Sequence, residues 1–316
     1  MSAAPAPAGI AEAPVPSTED HDRRPVGRPR RRLLPYLLLL PGIAWLVLFF
    51  LVPILSSVSG SVQTGSLDTG FVLAWRWANY SDALTQYHAE LLRSLLYSLL
   101  CTVGCLILAY PLTYFIALRS GRWKNLLIAL VVVPSFTSFL IRTIAWKTIL
   151  SDNGFVVHVL NVLHITNVLS AVGLTQGDHV LASPAAVVCG MIYNFLPFTV
   201  LPLYVSLEKI NPGLLEAARD LYCTPFGTFR RVTLPLSMPG VVGGTLLTFI
   251  PAVGDYINAQ LLGNPNTTVI GQKIEDLFLR NPLGYPLGSA ISVVMMVVVL
   301  AIVMTYIRRA GTEDLL

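Results

Sequence analysis

The chain has 316 residues, of which 54% are hydrophobic and only 12% are charged, and its formal net charge is +4. Soluble domains carry about 25% charged residues, so this chain cannot cover a water-facing surface and takes the bilayer as its solvent. Its basic residues sit in short clusters between apolar runs, which is a topology pattern and excludes a phosphate-binding nucleic-acid face.

Residues 1–32 read as a disordered tail. Residues 2–16 are mostly Ala and Pro and build no core. Arg23, Arg24, Arg28, Arg30, Arg31 and Arg32 follow, and should hold this end in the cytoplasm beside anionic headgroups. The apolar run 35–58 exceeds the roughly 7–15 residues of a signal-peptide core, and no A-x-A site follows it. It reads as an uncleaved first span.

Further spans are expected over 91–118, 125–149, 183–206, 237–257 and 286–307. Each holds about 20 residues or more, enough to cross a hydrocarbon core of about 30 Å. The sequence therefore predicts an all-α polytopic membrane protein with six transmembrane helices, its membrane domain covering 33–316. The charge asymmetry orients it. Arg119, Arg122 and Lys124 follow span two, Lys209, Arg219, Arg230 and Arg231 follow span four, and Arg308 and Arg309 follow span six. The opposite loops hold only Arg76, Lys273 and Arg280, so both termini are expected in the cytoplasm. In one outer loop, residues 155–172 read either as an amphipathic surface helix or as a packed loop.

Cys101 and Cys105 are one helical turn apart, yet no His or carboxylate joins them at ligand spacing. They and Cys189 read as small buried hydrophobes, with no metal site.

The loop 208–235 differs from the others. Asn211–Pro212 and Thr224–Pro225 are two cap-and-start pairs. They predict two short helices joined by a bend at Tyr222, Cys223 and Thr224. Leu214, Leu215, Ala218 and Leu221 fall on one face at helical spacing, and Phe226, Phe229 and Val232 continue the stripe. With no soluble domain in the chain to cover it, the stripe implies a partner protein.

Glu216-Ala217-Ala218-Arg219-Asp220-Leu221-Tyr222, then nine residues, then Val232-Thr233-Leu234-Pro235, resembles the EAA motif of ABC importer permeases. The family pattern is E-A-A, three residues, G, nine residues, I-x-L-P. The spacing is kept; Val232 replaces Ile, and Tyr222 replaces Gly. A left-handed turn costs a Tyr about 1 kcal/mol or more, so the bend is expected to shift to Cys223 or Thr224, or to loosen, with docking kept. The stretches 135–146, 193–204, 207–210 and 251–263 are similar to spermidine/putrescine-type permeases. The resemblance implies a type I importer permease (MetI-like) fold and a polyamine substrate. Relatives of this architecture move other small charged solutes, such as opines, phosphonates or amino-acid derivatives. It also implies partners: a dimeric ABC ATPase that holds ATP and Mg, a second permease subunit, and an extracytoplasmic binding protein, with no cofactor in this chain. Glu216, Ala217, Ala218, Asp220, Tyr222, Leu234 and Pro235 are then the ATPase-coupling loop, the small alanines allowing close approach.

Ionisable residues within spans are functional candidates. Arg142 lies 17 residues past Asn125, about 26 Å up a straight third span. Asp255 lies 16 residues past Pro239, about 24 Å up the fifth. Asp255 either attracts a cationic solute at the outer mouth, helped by the rings of Tyr256 and Tyr193, or pairs with Arg142. Asn194 reads as interhelical glue or as lining of the path. Gly240 and Gly244 read as a close-packing face on span five, against a neighbour such as the second permease.

Other classes fit less well. Gly254-Asp255 follows Ala252, not the Gly of the GxGD intramembrane proteases, and neither H-E-x-x-H nor the phosphate-binding G-x-x-x-x-G-K-[ST] occurs. A secondary transporter would carry its coupling groups inside the membrane, whereas the distinctive polar motif here is in a loop.

Overall fold

The structure is a computed structural model that describes residues 34–66, 68–151, 154, 157–159, 179–281 and 283–310. The tail 1–32 lies outside the described residues. So does the stretch 155–172, apart from Gly154's neighbours 157–159, which are helical.

The chain divides into two compact units, Met1–Leu51 and Val52–Leu316. The described part of the first is α1 (Leu34–Leu46), with Pro41 inside it, followed by a π-helical turn, Val47–Leu51. Its sequence is apolar on every face, as a lipid-surrounded helix requires.

The second unit opens with α2 (Val52–Ser61) and an antiparallel hairpin of β1 (Gln63–Ser66) and β2 (Gly70–Leu73), paired Gln63 to Leu73 and Ser66 to Gly70. This hairpin is a small departure from an all-helical chain. Next comes α3 (Ala78–Leu118), 41 residues long with a kink at Tyr87. At 1.5 Å per residue it is about twice the length the bilayer needs. The expected span 91–118 is the part beyond the kink, and the more polar residues before it continue the helix beyond the length a bilayer needs.

The third expected span is not one straight helix. A short 3-10 turn precedes α4 (Lys124–Val132), a second follows at Val133–Phe136, and α5 (Phe139–Ile149) then departs at 97°. The cause is local. Pro134 has no N–H to donate. The Ser135 hydroxyl donates to the Val132 carbonyl (2.6 Å) and the Thr137 hydroxyl to the Pro134 carbonyl (2.7 Å), while Thr137 itself is extended at ψ 157°. These side-chain bonds compete with the helix ladder. The straight-rise depth expected for Arg142 therefore does not hold.

α6 (Pro184–Glu208) starts at Ser183, whose hydroxyl accepts from the Ala186 N–H at 3.2 Å, with Pro184 at the first helical position. The hairpin follows: α7 (Pro212–Asp220), α8 (Pro225–Thr228) and a π-helical turn (Phe229–Thr233). That turn runs directly into α9 (Leu234–Val253), so the fifth span starts nearer the hairpin and ends earlier than the expected 237–257. α10 (Ile257–Leu262), α11 (Ile270–Leu279) and α12 (Tyr285–Ala310) complete the described chain. By length and composition, five helices can cross a membrane, or six if the bent pair is one span.

α6 is central, packed against both α3 and α9. In lipid, apolar side chains gain little by moving from tails to neighbours, so close packing and interhelical hydrogen bonds hold the bundle. Small residues permit the approach. A Cβ at Gly240 would meet Ser206 Oγ at 2.6 Å and the Pro202 carbonyl oxygen at 2.8 Å, and one at Gly244 would meet the Thr199 carbonyl oxygen at 3.1 Å. The Gly240/Gly244 face is thus spent on α6 of the same chain. Thr199 and Thr248 add a buried hydroxyl pair at 2.6 Å between α6 and α9, and Tyr110 Oη and Ser237 Oγ a second, at 2.7 Å, between α3 and α9.

Candidate functional site

The hairpin 208–235 is built by its own sequence. Asn211 Oδ1 accepts from the Gly213 N–H at 2.9 Å, and Pro212 starts α7. Thr224 Oγ1 accepts from the Gly227 N–H at 3.1 Å, and Pro225 starts α8. Between them α7 ends in a left-handed cap. The Cys223 N–H reaches back to the Ala218 carbonyl (3.1 Å) and the Tyr222 N–H to the Arg219 carbonyl (2.9 Å), while Tyr222 stands at φ 59°. The bend therefore stays at Tyr222 and does not shift or loosen. Two backbone bonds that satisfy the last carbonyls of α7 offset a left-handed cost of about 1 kcal/mol.

Three contacts seat the hairpin on the bundle. Leu215 packs on the buried cluster of Leu203, Leu207 and Ile210. Phe229 lies edge-on to Tyr110 and Tyr114 of α3. Lys124, at the start of α4, forms an ion pair with Glu208, at the end of α6. The expected single apolar stripe consequently splits: Leu215 and Ala218 face the chain itself, whereas Leu214, Leu221 and Phe226 are exposed. Ala218, 6% exposed, is not free for close approach by a partner. Its small side chain instead lets α7 pack down. Glu216, Ala217 and Asp220 are exposed, Leu234 is half-buried and Pro235 exposed.

A second polar feature joins three helices of the unit. Asn194 Nδ2, on α6, donates to Thr143 Oγ1 on α5 (3.1 Å) and to Asn258 Oδ1 on α10 (3.2 Å). Asn258 Nδ2 in turn donates to Asp255 Oδ2 at 2.5 Å. The other carboxylate oxygen of Asp255 accepts from the backbone N–H groups of Ile257 (3.1 Å) and Asn258 (3.3 Å), at the start of α10. Thr143, Asn194 and Asn258 are fully buried, and Asn194 Oδ1 has no partner among the described residues.

Residues 22–310 match the model of the binding-protein-dependent transport system inner membrane component family. The chain belongs to that family. This inner membrane component is 36% identical, over 84% of its length and 94% of the relative's, to the "Spermidine/putrescine transport system permease protein PotB" of Escherichia coli K12. It is 37% identical, over 84% of its length and 90% of the relative's, to the protein of the same name in Salmonella typhimurium SL1344. It also shares its fold with a chain of a bacterial ABC transporter involved in import of the acidic polysaccharide alginate. That likeness has a TM-score of 0.62 at 21% identity, covering 89% of this chain and 96% of the other.

In this ABC importer permease, the structure brings only some of the sequence-predicted path residues together. Asp255 and Asn194 share one chain of hydrogen bonds through Asn258. Among the described residues no ion pair joins Asp255 to Arg142. The Arg142 guanidinium lies over the Phe139 ring, 5.8 Å from its centroid, and its buried Nε has no partner among the described residues. Tyr193 meets Trp146 edge-on at 5.4 Å, while Tyr256 is half-buried in the core cluster. Sequence reasoning missed Asn258 and Thr143, and set Phe229 in a partner-facing stripe although it packs on α3 of its own chain. Asn258 carried a readable signal, since it follows Asp255 by three residues at the start of α10, where an Asp side chain commonly accepts from backbone N–H groups.

Proposed function

We propose that this chain is the membrane-spanning permease of an ATP-driven importer for polyamines of the spermidine/putrescine class. The hairpin 208–235 carries the reading: a doubly capped, stiffly seated element that presents Glu216, Ala217, Asp220 and exposed apolar side chains to solvent, at the loop where a separate motor would grip. Its rigid attachment through Leu215, Phe229 and Glu208 suits it to pass a push to α3, α6 and α9 together. The substrate class follows from the relatives named for spermidine and putrescine.

In this reading both termini and the hairpin face the cytoplasm, as the Arg and Lys distribution favours. A dimeric ATPase binds ATP and Mg, a second permease completes the path, and a solute-loaded binding protein docks on the opposite face. ATP-driven closure of the motor moves the hairpin, and the bundle alternates between outward and inward access. Asp255, held by Asn258 and by the first backbone N–H groups of α10, gives this path a negative charge for a cationic solute.

Proteoliposomes holding the complete importer test the reading. ATP-dependent uptake of spermidine or putrescine, exceeding that of amino acids and phosphonates, is expected. Uptake of a phosphonate or an amino-acid derivative in preference to both polyamines would replace the substrate class, and uptake without ATP would remove the motor. Asp255→Asn is expected to lower uptake at limiting polyamine; unchanged uptake removes Asp255 from the path.

A further inference from the structure

Tyr222 is the place where this chain departs from the glycine of the family pattern, and folding gives no reason for the departure. The turn is closed by backbone bonds alone, from Cys223 to Ala218 and from Tyr222 to Arg219. Glycine makes the same bonds without the left-handed penalty. The ring repays nothing within the chain, because Tyr222 is 97% exposed. It does not stand alone. Leu221 and Phe226 are exposed beside it, and together with Arg230 and Arg231 they line an open concavity of ≈ 680 Å³ at the bend of the hairpin. A strained backbone that holds an aromatic ring out into water, next to two further apolar side chains, marks a functional surface. Tyr is also among the residues that most often dominate binding at interfaces.

We propose that Tyr222 is a docking knob that selects the importer's own ATPase subunit. Its ring, with Leu221 and Phe226 at its flank, enters an apolar pocket of that subunit. The rim of the pocket carries carboxylates that face Arg230 and Arg231. The charge of this face decides the occupant's chemistry: Arg230 and Arg231 line the concavity beside the knob, Arg219 precedes it by three residues, and among residues 209–235 only Glu216 and Asp220 oppose them. The proposal rests on the coupling reading of the hairpin, which it deepens. The mechanical function needs only that the hairpin be gripped; the knob adds discrimination, because an ATPase surface without a matching pocket cannot seat the ring.

The test titrates the purified ATPase subunit of this importer onto the assembled permease pair in nanodiscs, with Tyr222→Gly, Tyr222→Phe and Glu216→Arg as variants. Tyr222→Gly is expected to raise or preserve the permease's thermal stability and to weaken ATPase binding about tenfold. Tyr222→Phe should stay within about twofold of wild type. Wild-type affinity for Tyr222→Gly, with loss for Glu216→Arg, overturns the knob and leaves the coupling reading standing. No change in either variant, or no binding by the wild-type pair, overturns both. A loss in Tyr222→Gly that vanishes when anionic lipid is omitted assigns the ring to the membrane surface and overturns the proposal.

Discussion

Phe229, in the π-helical turn that closes the hairpin, stands edge-on to Tyr110 of α3, with ring centroids 5.4 Å apart and planes at 81°. Tyr114, one helical turn further along α3, meets the same ring at 6.3 Å and 71°. The hairpin's returning arm is thereby hooked onto the long helix at two points, and Tyr110 passes the connection on to α9 through Ser237.

Unhooking it should loosen transmission more than folding. Aromatic pairs are worth about 0.5–1.5 kcal/mol each beyond their burial. Phe229→Ala is expected to leave ATP hydrolysis by the assembled importer within about twofold while uptake per ATP falls severalfold. Parallel ATPase and uptake assays on one proteoliposome preparation give the ratio; an unchanged ratio would show that the hook transmits nothing.

The glycines of α9 are not equivalent. At Gly240 a methyl group collides with the Pro202 carbonyl and with Ser206, whereas at Gly243 the nearest atom is Pro202 Cβ at 3.5 Å, an ordinary contact. Gly240→Ala should cost about 1–3 kcal/mol by overpacking. Gly243→Ala should stay within about 0.5 kcal/mol of wild type. Thermal unfolding of the purified permease in detergent ranks the two, and equal midpoints would refute the packing of α9 on α6.

Asn258 holds the polar chain together, since it accepts from Asn194 and donates to Asp255. Asn258→Leu strands both partners and should destabilise the bundle by about 1–3 kcal/mol. Asn258→Asp should cost more, because it sets a second carboxylate against Asp255 and takes from Asp255 its side-chain donor. The same unfolding measurement applies, and an Asp variant as stable as wild type would mean that the chain does not close as described.

What was legible in the sequence was local. Asn211–Pro212 and Thr224–Pro225 act within three residues of themselves, so the two hairpin helices could be read directly. Long apolar runs likewise announce spans wherever they occur. The break between α4 and α5 was not legible, because Pro134 fits a kinked helix as well as a broken one. The hydroxyls of Ser135 and Thr137 decide the matter only once they are seen on their carbonyls. Hydropathy also hid the first part of α3, where polar residues before Tyr87 form helix outside the apolar window. Ala218 looked like a partner-facing residue because the motif places it beside Ala217, yet successive helical positions face about 100° apart, and one turned in as the other turned out. The partners of Asn194 lie 51 and 64 residues away, a separation at which sequence spacing carries no information.

The central claim is that the hairpin 208–235 is where the motor holds this permease. A photoreactive side chain at position 217, exposed on α7, tests it most directly when the complete importer is irradiated in membranes, with position 300 on α12 as the lipid-facing control. The account predicts an adduct with the ATPase from position 217 and none from position 300. Adducts with lipid alone, or equal ATPase yields from both positions, would contradict it.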